Sequence, residues 1–344
     1  VLNILVDGLS WPVMRTRFTE YMPRIAEFFS RGVIFDDHFS TSEFTYPALA
    51  AIETGRYPTH TQVFSEEDSH ELPLDMTTLS ECMKELGYYC AAPMASGFGV
   101  YNGVMRGYDR IVATSWDLPA FDGAERTIRH LEAFGETDQF LFLHVMDVHP
   151  YAAKGFKFAT SVETRLPLAR RLLGAQGTEA SVRLPNFEIY RAQFLEGARY
   201  VDRSVGVLLD YIRTHYDEDE YIVNLYSDHG VSIFSPNADG AVDIMGPYST
   251  GASWMMRGAG VPAAGVVNEL TSSVDIYAAL GHLCGFPVAP DVDSNLPAVF
   301  GGREREAVYS ISRYPGQTLK VAVRSKTHTL RLETDEVVAK DGTV

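Results

Sequence analysis

The chain has 344 residues, 46% of them hydrophobic, and a formal net charge of −16. This length and composition suit a globular protein with a large core, arranged as one large α/β domain or two smaller ones. The acidic charge argues against nucleic-acid binding by bulk electrostatics, because phosphate backbones repel such a surface. An acidic protein that binds an anion would need local positive charge from a metal ion or from arginine.

The cysteine count and the apolar runs bear on the location of the protein. Cys82, Cys90 and Cys284 form an odd set without metal-ligand spacing, which predicts free, buried thiols and favours a cytoplasmic location. No apolar run reaches the length of a transmembrane helix. The chain opens without Met directly on a predicted strand, so we expect a trimmed N-terminus.

The first 302 residues alternate between apolar strands and amphipathic helices. In chain order the pattern predicts a strand at 2–6, a helix at 22–29, a helix at 79–86, a strand at 88–91, a helix at 124–134, a strand at 139–145, a long helix within 187–215, a strand at 221–226 and a helix at 270–283. This alternation is typical of an α/β fold with a mostly parallel central sheet sandwiched by helices. Functional residues then gather at the carboxyl ends of the strands.

The pattern changes after Gly302. Short strands are predicted at 307–310, 320–323 and 327–332, joined by turns. We therefore expect an α/β domain over residues 1–302 and a small C-terminal antiparallel β subdomain over residues 303–344, packed on the first.

The segment Thr45–Pro58 places a hydroxyl residue before a short helix-forming run that closes with Thr-Gly-Arg-Tyr-Pro. The start of a helix directs free N–H groups and the positive end of the helix dipole at whatever lies in front of it. A hydroxyl there is well placed to attack a phosphate or sulfate ester once it is activated. Taken alone, a Thr in this position is most often a helix cap.

Polar residues at two strand ends supply candidate metal ligands. Asp7 ends the first strand, and Asp228 and His229 end a later one. If the strands are neighbours in a parallel sheet, these side chains and the Thr45 oxygen suit one divalent cation: Zn, Mn, Mg or Ca. Such a cation would lower the pKa of the hydroxyl and polarise the ester. The competing interpretation is that each Asp caps a helix or forms a turn.

The order of these segments resembles the alkaline phosphatase superfamily, in particular its sulfatase-like branch. That branch includes arylsulfatases, phosphonate monoester hydrolases, nucleotide phosphodiesterases and phosphoglycerol transferases. The similar segments include residues 3–8, the nucleophile segment 45–58, residues 143–151 and Ser-Asp-His-Gly at 227–230. The resemblance implies an alkaline-phosphatase-like fold, with Thr45 at the nucleophile position and Asp7, Asp228 and His229 on the metal.

The resemblance also implies roles for the histidines of the 143–151 segment. His149 would hold the transferred group or protonate the leaving oxygen. Asp147 would be either a second metal ligand, as in the two-metal members, or the hydrogen-bond partner of His149, which we favour. His144 lies within an apolar strand and is interpreted as a core histidine. Substrate choice is expected in the loops at 152–186 and 232–248.

Three features depart from the family pattern. Sulfatases carry Cys or Ser at the nucleophile position, followed by Pro-Ser-Arg, so that the residue can be oxidised to formylglycine. This chain has Thr45 and then Pro-Ala-Leu at 47–49, and threonine cannot form that aldehyde. The lysine that usually follows Asp-His-Gly is missing, so Arg56 is predicted to bind the anion. Thr41 and Ser42 are alternative nucleophiles.

Three functional hypotheses follow. The first is a metal-dependent hydrolase or transferase of phosphate esters that acts on a small anionic substrate through Thr45. The second is a sulfuric ester hydrolase of the sulfatase family with an atypical nucleophile. The third is a catalytically silent binding module, which the missing lysine and the altered arginine position support.

Overall fold

A computed structural model describes residues 1–65, 71–94, 102–113, 119–149, 187–231, 234 and 245–344. In this part of the chain the strands are β1 (Leu2–Val6), β2 (Val33–Phe39), β3 (Tyr89–Met94), β4 (Arg110–Ala113), β5 (Gln139–Val145), β6 (Ile222–Tyr226), β7 (Trp254–Gly258), β8 (Gly265–Ser272), β9 (Val308–Ser312), β10 (Thr318–Arg324) and β11 (Thr329–Val337).

The helices lie between these strands and cover the large sheet. They are α1 (Trp11–Met14), α2 (Phe18–Tyr21), α3 (Pro23–Phe29), α4 (Thr45–Thr54), α5 (Pro58–Thr61), α6 (Leu79–Glu85), α7 (Ala120–Ala133), α8 (Phe187–His215), α9 (Pro247–Thr250) and α10 (Asp275–Cys284), with 3₁₀ turns at Arg15–Arg17 and Ala298–Phe300.

Eight strands form one sheet in the order β4-β3-β5-β1-β6-β7-β2-β8. Neighbouring strands are parallel except where β7 pairs with β6 and with β2. The central strand β1 is buried along its whole length because helices cover both faces of the sheet, as its continuous apolar sequence indicates. The predicted α/β fold with a mostly parallel central sheet is confirmed.

The last three strands form a separate antiparallel sheet in the order β11-β10-β9. This sheet lies against the chain that leads into α4: the Ile311 N–H donates to the Thr41 carbonyl at 2.8 Å, and the Ser310 hydroxyl donates to the Ser40 carbonyl at 2.6 Å. The predicted small C-terminal antiparallel sheet is confirmed, whereas the domain boundary at residue 302 stays a prediction.

Two element predictions are corrected by the structure. The helix expected at 270–283 begins only at Asp275, because Leu270–Ser272 completes β8. Residues 33–39, for which no strand was predicted, form β2, which pairs with β8. Gly32 lies where the chain enters the sheet, and a Cβ there would come within 2.0 Å of the Met256 carbonyl oxygen, so a larger residue does not fit between the helix and β2.

Two further expectations concern the cysteines and the presence of a membrane-spanning helix. Cys82 and Cys90 are buried and free, as predicted, whereas Cys284 is free but only half-buried. Among the described helices, none combines the length and apolarity that a membrane crossing requires.

Candidate metal and nucleophile site

Two buried carboxylates lie at the carboxyl ends of adjacent parallel strands. Asp7 follows β1 and Asp228 follows β6, and the two strands pair directly, with Leu5 opposite Tyr226. Both Asp side chains are fully inaccessible to solvent. The sequence analysis required these two strand ends to be neighbours, and the sheet order brings them together.

Each carboxylate uses one oxygen for protein contacts and leaves the other without a hydrogen-bond partner. Asp7 Oδ2 lies 3.0 Å from His144 Nε2, and Asp228 Oδ1 accepts from the N–H groups of Gly8 at 3.1 Å and His229 at 2.9 Å. Asp7 Oδ1 and Asp228 Oδ2 are buried and accept no hydrogen bond. Buried acceptors of this kind are costly unless a ligand satisfies them.

His229 presents its second ring nitrogen to these oxygens. Its Nδ1 lies 2.6 Å from the Gly230 carbonyl oxygen, so Nδ1 carries the proton and Nε2 keeps its lone pair. Nε2 lies 3.3 Å from Asp228 Oδ2 and 3.9 Å from Asp7 Oδ1. One ligand atom from each of the three side chains lies within 4.8 Å of the other two, and no other such group occurs among the described residues.

The donor set fits a divalent cation. Burial and the negative charge of Asp7 raise the pKa of Asp228. Burial alone would also raise the pKa of Asp7, but the imidazoles of His149 and His144 hold it well below its ordinary value. Two adjacent carboxylates with unpaired oxygens and a neutral imidazole are ligands that Zn, Mn, Mg and Ca accept to different degrees. A divalent cation would also relieve the repulsion between the carboxylates.

Thr45 is the first residue of α4, and its hydroxyl faces the same cluster. Its Oγ1 lies 3.3 Å from His229 Nε2, and the residue is 2% exposed. Phe44 occupies the N-cap position of α4, so the Thr45 hydroxyl is not used as a cap. The first turn of the helix directs its N–H groups towards the same region, which favours an anion there.

The alternative nucleophiles make different contacts. The Ser42 hydroxyl accepts from the Phe44 N–H and lies near Glu43, within the turn that precedes α4. The Thr41 backbone is held by the Ser273 hydroxyl and by the Ile311 N–H. Of the three hydroxyls, that of Thr45 is the one that contacts the carboxylate–imidazole cluster, through His229.

His149 follows β5 at the rim of the cluster. Its Nε2 lies 3.8 Å from Asp7 Oδ1, and its side chain is 14% exposed. Burial lowers the pKa of His149, an effect that the charge of Asp7 only partly offsets, so the imidazole is neutral at pH 7. Asp147, predicted to be its hydrogen-bond partner, accepts from the Ala120 N–H at 2.7 Å at the start of α7.

Arg56 is not brought to the cluster. It follows the carboxyl end of α4, and ten helical residues put about 15 Å between the two ends of that helix. Its guanidinium donates to the Asp291 carboxylate at 2.6 Å and to the Asp291 carbonyl at 2.7 Å. The predicted anion-binding role of Arg56 therefore needs a substrate that extends along the helix.

The sequence analysis assigned His144 to the core, which the structure confirms, and the structure adds that His144 lies beside a candidate metal ligand. His144 is fully buried on β5, and its Nε2 holds Asp7 Oδ2 so that Oδ1 faces His229. The contact between His144 and Asp7 follows from the register between β1 and β5, which puts Leu5 opposite His144. The sequence alone does not reveal this register. An imidazole in an apolar strand was the only clue.

Two glycines allow the backbone to form the site. Gly8 has φ of +71°, a left-handed conformation, and its N–H reaches Asp228. A Cβ at Gly230 would lie 2.1 Å from the Tyr248 carbonyl oxygen, so only glycine fits after His229.

The two loops predicted to select the substrate are those at 152–186 and 232–248. The first lies outside the described residues, as does most of the second.

The chain belongs to the Sulfatase family, whose model matches residues 1–286. This places it in the sulfatase-like branch of the alkaline phosphatase superfamily, as the sequence motifs predicted, and makes it a sulfatase-family hydrolase. A curated relative is N-acetylgalactosamine-6-sulfatase from Canis lupus familiaris, 23% identical over 386 residues that cover 93% of this chain and 69% of the relative.

Solved structures share the fold at low identity. The phosphonate monoester hydrolase SpPMH from Silicibacter pomeroyi aligns with a TM-score of 0.74 and 14% identity, over 98% of this chain and 88% of that one. BT4656, solved with its substrate D-glucosamine-2-N,6-O-disulfate, aligns with a TM-score of 0.74 and 13% identity, over 98% and 89% of the two chains. These similarities establish the fold of the chain. Its substrate is inferred from the residues of the site instead.

Proposed function

We propose that this protein is a metal-dependent hydrolase or transferase of phosphate esters with Thr45 as its nucleophile. The observation that carries the proposal is the convergence of the buried Thr45 hydroxyl with His229 Nε2 and the unpaired oxygens of Asp7 and Asp228. A carboxylate pair would repel an anionic ester, so the binding of such an ester here would require a cation held by these residues.

Asp7, Asp228 and His229 would hold the metal, with Thr45 as a further oxygen ligand. When bound, a divalent cation would lower the pKa of the Thr45 hydroxyl and offset charge on the ester. Thr45 Oγ1 then attacks phosphorus, and the bond from phosphorus to the leaving oxygen breaks. Water or an acceptor alcohol resolves the threonyl phosphate and restores the hydroxyl.

His149 is assigned to the transferred group. Its neutral imidazole at the rim suits it to hold a phosphoryl oxygen or to pass a proton to the leaving oxygen. The proton released by Thr45 balances the proton that the leaving oxygen takes up. Arg56 keeps its predicted role in anion binding only for a substrate long enough to reach it.

Sulfate ester hydrolysis is the second candidate, and membership of the Sulfatase family favours it. The curated relative is named as a sulfatase, and BT4656 binds a sulfated sugar. Against it stands Thr45, because threonine cannot be oxidised to the aldehyde that sulfatases use. A threonine alkoxide that attacks directly is suited to phosphoryl transfer.

The test compares the parent protein with Thr45→Ala and Thr45→Ser on three chromogenic esters: a phosphodiester, a phosphomonoester and a sulfate monoester. The protein is loaded separately with Zn, Mn, Mg and Ca. We expect the parent to prefer a phosphate ester, Thr45→Ala to lose at least about 1,000-fold in kcat, and Thr45→Ser to keep part of the activity. Sulfate turnover that survives in Thr45→Ala would show that another group is the nucleophile.

Metal content separates both enzymes from the silent module. Elemental analysis of the purified protein should find one divalent ion per chain that is lost in Asp228→Asn. A parent protein that binds none of the four metals, and turns over none of the esters, would support the silent binding module instead.

A further inference from the structure

The outer face of the C-terminal sheet is apolar and partly exposed. The strand register aligns six apolar side chains in two rows on this face: Tyr309, Val323 and Leu330 in one, and Ile311, Val321 and Leu332 in the other. Leu330 is 67% exposed, Leu332 56% and Tyr309 41%. Antiparallel sheets that face water on one side normally carry polar residues there, so an apolar face of this kind indicates an interaction surface.

The opposite face of the same sheet is already used. Its residues on β9 and β10 are buried against the large domain: Val308, Ser310, Ser312, Ala322 and Arg324. The inner face therefore holds the sheet against the large domain, and the outer face is not needed for that packing.

The sheet also ends in an open edge. Strand β11 lies at the end of the order β11-β10-β9, and in the described part of the chain it forms a ladder with β10 alone. It spans Thr329–Val337, is exposed almost throughout and contains no proline. A long edge strand of this type offers unpaired N–H and C=O groups to another strand.

We propose that this edge joins two copies of the chain, through antiparallel pairing of β11 with β11 about a two-fold axis at Leu332. In that register Leu332 faces Leu332 of the partner subunit, and Arg331 faces Glu333 of the partner subunit. The two three-stranded sheets become one sheet of six strands, with one continuous apolar face. An isologous contact of this kind pairs each patch with itself.

The charge pattern of β11 selects this register over its neighbours. A shift of the axis to residue 331 sets Arg331 against Arg331, and a shift to residue 333 sets Glu333 against Glu333. Like charges directly opposite each other destabilise a strand pair, whereas opposite charges do not. Glu333 already pairs with Lys320 at 3.1 Å within its own sheet, so the register is selected mainly by the repulsion that it avoids. A slip by one residue would bring apolar and charged side chains to the same face.

The first experiment measures the mass of the full chain in solution by light scattering after size exclusion, at physiological salt. We expect twice the 38.2 kDa mass of one chain. Arg331→Glu and Glu333→Arg should each shift the protein to monomer by at least about 10-fold in the dimer dissociation constant. An equimolar mixture of the two variants should dimerise again, because each supplies the charge that the other needs.

The second experiment locates the two-fold axis by cross-linking. Leu332→Cys should form a disulfide-linked dimer under mild oxidation, whereas Leu330→Cys, which faces Thr334 of the partner subunit, should cross-link far less. A parent protein that is monomeric at micromolar concentration overturns the proposal. So does a dimer that is indifferent to Arg331→Glu, or equal cross-linking at the two positions.

Discussion

The buried carboxylates at the two ends of helix α4 differ in whether protein donors satisfy their oxygens. At the amino end, the Thr45 hydroxyl lies beside His229, and the two carboxylates next to that histidine, Asp7 and Asp228, each keep one buried oxygen without a hydrogen-bond partner. Two turns further along, Glu53 is just as buried, yet protein donors reach both of its oxygens: Ser80 N at 3.3 Å and Tyr108 OH at 3.4 Å.

This difference separates a site from a structural feature. A buried carboxylate by itself indicates neither, because most buried polar groups are satisfied by the protein. At the amino end the unsatisfied oxygens lie together with His229 Nε2, within 4.8 Å of one another, as the ligands of one cation would. At the carboxyl end Arg56 and Asp291 satisfy each other, and the Tyr57 N–H is taken by Asp293.

The largest expected effect is at the amino end. Asp228→Asn keeps an oxygen for the N–H groups of Gly8 and His229 but replaces the unpaired oxygen with an amide that cannot bind a cation. We expect kcat/KM to fall by at least about 1,000-fold and the bound metal to be lost. In metal-free buffer the variant should melt above the parent, because repulsion with Asp7 is removed.

The matched control for this variant is Asp291→Asn at the opposite end of α4, which should leave kcat/KM and metal content unchanged. An Asp228→Asn protein with parental activity and metal content would contradict the assignment of the ligands. Initial rates, elemental analysis and melting curves provide the three measurements.

Glu53 tests the carboxyl end of α4 through the pH dependence of the free energy of unfolding. Burial raises the pKa of Glu53 from 4.5 to about 7, so the folded protein keeps a proton that the unfolded chain loses. The stability associated with neutral Glu53 is complete below pH 4.5 and is lost as the pH rises through 7. Glu53→Gln should therefore match the parent near pH 4.5 and exceed its unfolding free energy by roughly 3 kcal/mol at pH 8.

Denaturant unfolding at several pH values measures this difference, with exposed Glu125→Gln on α7 as the control. A constant offset between Glu53→Gln and the parent from pH 4.5 to 8 would mean that the pKa of Glu53 is not raised. The comparison uses differences between proteins, so other groups that titrate in the same range, such as Glu43, cancel.

The sequence predicted the elements whose pattern is continuous. β1 and β5 are uninterrupted apolar runs, and α8 is a long amphipathic helix, so their bounds follow from periodicity. β2 was missed because Asp36 and Asp37 interrupt its apolar run. β7 was missed because Arg257 sits among its apolar residues, where Glu218 pairs with it.

The candidate site could be predicted as a set of residues but not as a geometry. Strand-end residues and the family motifs identified Asp7, Thr45, Asp228 and His229. The contact between His144 and Asp7 depends on the pairing of strands more than 130 residues apart, as the separation of 137 positions shows. Such register is set when the whole sheet assembles, and the apolar pattern of either strand alone does not reveal it.

His144 provides a smaller effect than the ligands themselves. His144→Leu removes the hydrogen bond that holds Asp7 Oδ2, so the free oxygen of Asp7 is no longer directed at His229. We expect metal affinity to weaken by about 10- to 100-fold, with much of the activity restored at saturating metal. Competition with a chromogenic chelator measures the affinity independently of turnover.

His144→Gln is the conservative partner of that variant, because its side-chain amide can still donate to Asp7. It should recover part of the metal affinity that His144→Leu loses. Equal metal affinity in the parent and in His144→Leu would return His144 to the purely structural role that the sequence analysis gave it.

The smallest expected effect is at Arg56, and it decides whether this residue binds the anion, as predicted from the sequence, or has a structural role, as its contacts indicate. The missing family lysine led to the prediction that Arg56 binds the anion, whereas its contacts with Asp291 and its position at the far end of α4, about 15 Å from Thr45, favour a structural role. We expect Arg56→Ala to change kcat/KM for a small ester by less than about 3-fold and to lower the melting temperature slightly, because a partly exposed ion pair contributes little. If KM instead rose strongly for a long ester but not for a short one, Arg56 would bind the distal part of the substrate, and both ends of α4 would belong to one site.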